Sequence, residues 1–182
     1  SGMKIILIAD LHANSGELGV DNLNRMVEMV NENEPDFVLI AGDFMRTHAA
    51  EGIMPPDDIT AYLSKIRSKY GIVAVLGNHD WWHGGDEVIS ALRKAGITVL
   101  ENESVKIGSR LNIAGASDYY SRNSQPDVNA SLRGIDKSLP TIFMTHSPQL
   151  FPEIPPEVVL TVAGHTHGGQ VEVPLFGALF LP

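Results

Sequence analysis

The chain has 182 residues, a formal net charge of −9 and no cysteine. That length suits one domain with a substantial core, and the missing cysteines exclude disulfides and thiolate metal sites. The acidic balance leaves no basic footprint for nucleic acid, and no apolar run approaches the roughly 20 residues of a membrane-spanning helix.

Short apolar runs alternate with helix-like segments through the first half. Residues 4–9 read as a buried strand, and 20–32 as a helix with Leu23, Met26, Val27 and Val30 at helical spacing. Residues 37–41 give a second strand and 57–69 a second helix, with Ile59, Tyr62, Leu63 and Ile66 on one face. Residues 72–76 form a third strand and 86–95 a third helix, which Gly96 is placed to stop. This order predicts parallel strands joined by crossover helices. The second half reads as short strands over 97–100, 104–107, 111–116, 141–145, 158–163 and 170–173, with a polar loop over 121–129. Two sheets packed face to face with helices outside account for both halves. Residues 3–182 are expected to form a single domain. Ser1-Gly2 ahead of Met3 reads as an expression scar, and the apolar ending up to Pro182 as a trimmed terminus. Asp10 interrupts the first apolar run, so no signal peptide is visible. The expected compartment is the cytoplasm, with an exported or membrane-anchored parent left open.

Five of these runs end in polar residues of one chemical kind. Asp10 and His12 follow the first, Asp43 the second, and Asn78, His79 and Asp80 the third. His146 follows the run at 141–145, and His165 and His167 follow that at 158–163. Ligands of open α/β sheets bind beyond the carboxyl ends of the strands, so these side chains are expected to converge. Residues two apart in an extended segment point to one side, which would pair Asp10 with His12 and His165 with His167. Imidazole with carboxylate suits zinc, iron or manganese. Asp10, His12, Asp43, Asn78, His146, His165 and His167 are too many for one tetrahedral ion but suit two divalent ions sharing a bridge, with Asp43 chosen as the bridge. Two such ions, roughly 3.5–4 Å apart, would keep the site positive within an acidic chain and let it hold a phosphate.

The motifs Asp10-x-His12, Gly42-Asp43, Gly77-Asn78-His79-Asp80, His146 and Gly164-His165-Thr166-His167 resemble, in order, those of the calcineurin-like metallophosphoesterases. The string from Gly164 to Gln170 is similar to a small bacterial branch of phosphodiesterases and phosphohydrolases. The resemblance implies an α/β/β/α sandwich of four layers, with two mixed sheets flanked by helices. It implies a first ion on Asp10, His12, Asp43 and His167, and a second on Asp43, Asn78, His146 and His165. His79 would contact the phosphate and assist the leaving group, and Asp80 would orient His79. The expected activity is dinuclear metal-dependent hydrolysis of a phosphate ester, a diester or small nucleotide in preference, by a metal-bridging hydroxide. Its rivals are a non-catalytic metal-binding scaffold on the same fold and a metallo-hydrolase of a non-phosphate bond. Gly42-Asp43 continues into Phe44-Met45-Arg46, so the phosphate-binding arginine of the protein phosphatases does not carry over.

Bland readings are preferred for the other conspicuous residues. His48 and His83 read as structural, Asp118 as a turn residue, and Arg46 and Arg122 as solvated. Trp81, Trp82, Tyr119 and Tyr120 read as packing or anchoring in preference to stacking on a base or sugar. Phe44 and Met45 either line the cleft or fill it.

Overall fold

The computed structural model describes residues 2–47 and 52–169, with the backbone of 172–173 and 177–178. Strands β1 (Ile5–Ile8), β2 (Phe37–Ala41), β3 (Ile72–Val75) and β4 (Thr98–Val99) form one sheet in that order. Helices α1 (Glu17–Glu32), α2 (Pro56–Leu63) and α3 (Asn78–Lys94) are the crossovers. The pairings β1–β2, β2–β3 and β3–β4 are all parallel, so among the described residues this sheet holds no antiparallel pair, where a mixed sheet was expected. A helix between each pair of strands returns the chain to the same end of the sheet and enforces that direction. The second sheet, β5 (Glu103–Ile107), β6 (Leu111–Gly115), β7 (Thr141–Met144) and β8 (Leu160–Val162), is mixed. Its β5–β6 pair is an antiparallel hairpin and the other two pairs are parallel. Backbone pairs Glu172–Val173 and Gly177–Ala178 form a separate antiparallel ribbon of β9 and β10. The predicted strand at 170–173 is described only at 172–173, and His48 lies outside the described residues.

The period-2 alternation of strands assigns the layers. Val38, Ile40 and Ala74 meet Leu23, Val30, Ile59, Leu63, Val88 and Leu92 of the helices. Their neighbours Phe37, Leu39, Val73 and Val75 face Leu111, Ile113, Ile142 and Met144 across the sheet interface. The outer face of the second sheet, with Ala114 and Phe143, is covered by Val128 of α4 (Val128–Ser131) and by Leu150 of a 3₁₀ segment, Pro148–Glu153. The result is the α/β/β/α sandwich, its last layer made of short pieces. β2 is buried at every residue, as a strand covered on both faces must be, hence its unbroken apolar sequence. Among the described residues no helix is long and apolar enough to cross a membrane.

Helix boundaries depart from the periodicity in informative ways. α1 begins at Glu17, three residues before the apolar pattern, with an acidic side chain in the turn where the helix dipole favours it. α2 ends at Leu63 rather than 69, because Lys65 and Ile66 take tighter bonds to the Tyr62 and Leu63 carbonyls. The Arg67 amide then goes to the Asn31 side chain instead of continuing the helix. α3 begins at Asn78, eight residues earlier than predicted. The Asn78-His79-Asp80 motif is therefore the first turn of a helix, which kinks at Gly84 (φ 151°).

Candidate metal centre

All seven predicted ligands lie beyond the carboxyl ends of β1, β2, β3, β7 and β8 and come together there. Asp10, His12 and His167 form one group, and Asp43, His146 and His165 another, with an overlapping set of His12, Asp43 and His79 between them. In the first, His12 Nε2 is 3.1 Å from His167 Nε2, and His167 Nε2 is 3.8 Å from Asp10 Oδ1. In the second, His146 Nε2 lies 3.2 Å from His165 Nδ1, and Asn78 Oδ1 lies 3.1 Å and 3.0 Å from those two nitrogens. Asp43 Oδ2 reaches both groups, at 3.6 Å from His12 Nε2 and 3.3 Å from His146 Nε2.

The pairing of Asp10 with His12 and of His165 with His167 has a different cause from the one predicted. These segments are not extended. Asp10 (φ 54°), His12 (φ 42°), Asp43 (φ 54°), His165 (φ 73°) and His167 (φ 48°) all occupy left-handed backbone, a conformation uncommon for residues with a Cβ. Such residues persist where the surroundings fix them, and they cluster at functional sites. Here the fixing bonds run between segments. The Asp10 amide donates to the Gly42 carbonyl, the His12 amide to the Asp43 carbonyl, and the His165 amide to Asp10 Oδ1 at 2.9 Å. Gly77 is required for the approach of the second group, since a Cβ there would fall on the Asp43 carboxylate and the His146 ring.

Ring tautomers follow from the carbonyls. Nδ1 of His146 faces Ala41 O at 2.7 Å and Nδ1 of His12 faces Met45 O at 3.2 Å. A carbonyl only accepts, so each Nδ1 carries the proton and each neutral ring aims the Nε2 lone pair into the centre. Nε2 of His146 then confronts Asn78 Oδ1 and Asp43 Oδ2, acceptors both. Such a knot of lone pairs calls for a proton or a cation. Burial works to lower the pKa of His146, but hydrogen bonding and charge from Asp43, with the Ala41 carbonyl and Asp118, outweigh it and push the pKa up to about 9. His12 and His165, by contrast, are lowered, chiefly by desolvation, which favours the neutral form that ligates metal. The donor set and its crowding fit divalent cations.

Asp80 differs from expectation. Its carboxylate accepts from the backbone amides of Asp43 (3.0 Å), Gly77 (2.9 Å) and Met45 (2.9 Å), so it braces the turns that present Asp43 and Asn78. It is wholly buried, and desolvation with the Asp43 charge pushes its pKa up to about 7. The ring of His79 is held instead by Thr47, whose Oγ1 lies 2.8 Å from Nδ1. Thr47 was not singled out in the sequence, because nothing local connects it to a residue 32 positions away. The backbone amide of His79 donates to Asp43 Oδ1 at 2.9 Å, and desolvation lowers the pKa of its ring.

The remaining residues separate clearly. Phe44 and Met45 are core, and so is Trp81. Trp82, Asp118, Tyr119 and Tyr120 instead line a cleft of about 490 Å³ beside Asn78, His79 and His165.

Comparison with known proteins places the chain in a family. A model of the family described as calcineurin-like phosphoesterase matches residues 3–169, which include every residue of the centre. An uncharacterized metallophosphoesterase of Helicobacter pylori strain J99 is 36% identical over 174 residues, covering 93% of this chain and 45% of that protein. The phosphodiesterase YaeI of Escherichia coli K12 is 28% identical over 188 residues, covering 98% of this chain and 66% of that protein. The chain thus spans about half the length of the Helicobacter relative. Among solved structures, the NAD nucleotidase of Haemophilus influenzae shares the fold, with a TM-score of 0.57 at 16% identity over 91% of this chain and 43% of that one. The chain belongs to the calcineurin-like phosphoesterase family.

Proposed function

We propose that the chain hydrolyses a phosphate ester, preferentially a diester, with two divalent cations of manganese, iron or zinc. Asp10, His12, Asp43 and His167 would hold one cation, and Asp43, Asn78, His146 and His165 the other. The observation that carries this reading is the position of Asp43 Oδ2, a single carboxylate oxygen facing the imidazole nitrogens of both groups. Bound there, the cations supply positive charge for the phosphoryl oxygens and make water acidic enough to act as a nucleophile near neutral pH.

The rest is done by the chain. Two divalent cations bring +4 and the carboxylates of Asp10 and Asp43 subtract 2, so the centre attracts phosphate although the chain as a whole carries −9. His79 stands beside it, its ring 4.6 Å from that of His12. In the tautomer that accepts from the Thr47 hydroxyl at Nδ1, the neutral ring carries its proton on Nε2 and can donate a hydrogen bond from there to the departing ester oxygen. Asp80 holds the backbone around Asp43 and is a positioning residue.

The test is turnover of bis(p-nitrophenyl) phosphate by protein of measured metal content. Turnover that a chelator abolishes and manganese restores is the expected result. An occupied site with no turnover on phosphate esters would instead support a binding scaffold, and turnover confined to acyl or amide substrates a different hydrolase.

A further inference from the structure

We infer that the substrate carries a flat, uncharged ring of the nucleobase or aryl kind, seated in the corner between Trp82 and Tyr120. This rests on the phosphoesterase reading and names the class of its substrate. The cleft opens at Asn78, His79 and His165, and Trp82, Tyr119 and Tyr120 line it alongside them.

Exposure marks these aromatics as unspent. Trp81 and Trp82 are neighbours in sequence, yet Trp81 is 2% exposed and Trp82 49%. Tyr120 is 55% exposed. Trp81 packs into the helix layer, whereas Trp82 sits one helical turn from Asn78 and His79, on their side of α3. Its ring lies 4.8 Å from that of His79 and 5.2 Å from that of Tyr120, the latter at 78°. Two perpendicular rings make a corner in which a third can stack on one and meet the other edge-on. That edge contact occupies one aromatic face, so the corner lacks the enclosing faces that a quaternary ammonium group needs.

The wall is built before any ligand arrives. Asn102, in left-handed backbone (φ 57°), donates from Nδ2 to Ser124 Oγ (3.1 Å) and the Gln125 carbonyl (2.8 Å). Its Oδ1 accepts from the amides of Ser117 (3.0 Å) and Asp127 (2.9 Å). One side chain thus ties both ends of the loop that carries the tyrosines. Asn123 Nδ2 donates to Asp86 Oδ1 at 3.0 Å and fastens the same loop to α3. Asp118 Oδ1 accepts from the Tyr120 amide at 2.8 Å. A surface fixed in advance loses little entropy on binding.

Charge narrows the class. Among the described residues no lysine or arginine lines the cleft, so a second phosphate there would go uncompensated. Asp118 and Gln149, which also line it, offer oxygen acceptors to the N–H edge of a base.

The test is calorimetric titration of the manganese-loaded protein with phosphonate analogues of adenosine 5′-monophosphate, ribose 5-phosphate and phosphocholine, whose P–C bonds resist hydrolysis. The adenosine compound is expected to bind about tenfold or more tighter than the ribose compound. Trp82→Ala and Asn102→Ala should erase that preference at unchanged metal content, and Trp82→Phe should keep most of it. Equal affinity for the adenosine and ribose compounds, in protein that turns over bis(p-nitrophenyl) phosphate, overturns the ring and leaves the phosphoesterase reading intact. Preference for the phosphocholine analogue also overturns it. Absence of both phosphonate binding and turnover overturns the two together.

Discussion

Asp43 Oδ2 lies 3.3 Å from His146 Nε2 with both side chains almost fully buried, and the other nitrogen of that ring is committed to the Ala41 carbonyl. Without a cation this pair holds a proton between two lone pairs. On the proposed reading a cation would take the proton's place, and metal occupancy and protonation of His146 would then be exclusive.

Stability of the metal-free chain should therefore depend on pH with a definite sign. His146 is raised from 6.5 to about 9, so its contribution is fully present below 6.5 and lost as pH rises through about 9. Asp80 acts in the same direction, over the lower window from 3.8 to about 7. Between about pH 7 and 9 the loss is that of His146, on the order of 2 kcal/mol, with its interaction with Asp43 counted once. Urea unfolding of chelated protein at several pH values should show this fall, and metal-loaded protein should not. Parallel pH profiles for the two forms would refute the exchange of proton for cation.

Asp43→Asn should release metal from both groups, because the shared oxygen serves each. Metal analysis should give less than one ion per chain, and turnover should fall about 100-fold or more, beyond what an outer partner of a ligand costs. Retention of two ions would show that Asp43 is not the bridge.

His79→Ala should keep both ions and lower kcat by about 10² to 10⁴. The loss should shrink as the leaving group becomes more acidic, since a good leaving group departs without a proton. Thr47→Val should produce a weaker version of the same trend. A deficit independent of the leaving group would contradict a hydrogen bond from His79 to the departing oxygen.

Asp80→Asn replaces an acceptor of three amide bonds by a side chain with one accepting oxygen. At least one buried amide is left unpaired, at about 1–3 kcal/mol each. The expected result is a lower denaturation midpoint together with weaker metal binding. Asp118→Asn should cost much less, since among the described residues that side chain accepts from the Tyr120 amide alone. Equal destabilisation by the two substitutions would remove the bracing part given to Asp80.

The strands were legible because each buried strand is a local apolar run. β2 matches its prediction residue for residue, and each ligand stands within a few positions of a strand end. Helix ends were less legible. α2 stops where the Arg67 amide finds Asn31, a partner 36 positions away that no local window contains.

The amino-acid sequence by itself determined which chemical groups gather and at which end of the sheets, because parallel strands deliver every strand-end residue to one edge. Only the tertiary structure decided how they face one another. Left-handed turns at Asp10, His12, Asp43, His165 and His167 are held by bonds between segments far apart in the chain. The hold of Thr47, in place of Asp80, on the His79 ring and the divergence of Trp81 from Trp82 arise likewise, since burial and hydrogen-bond partners belong to the packed molecule and not to any stretch of its chain.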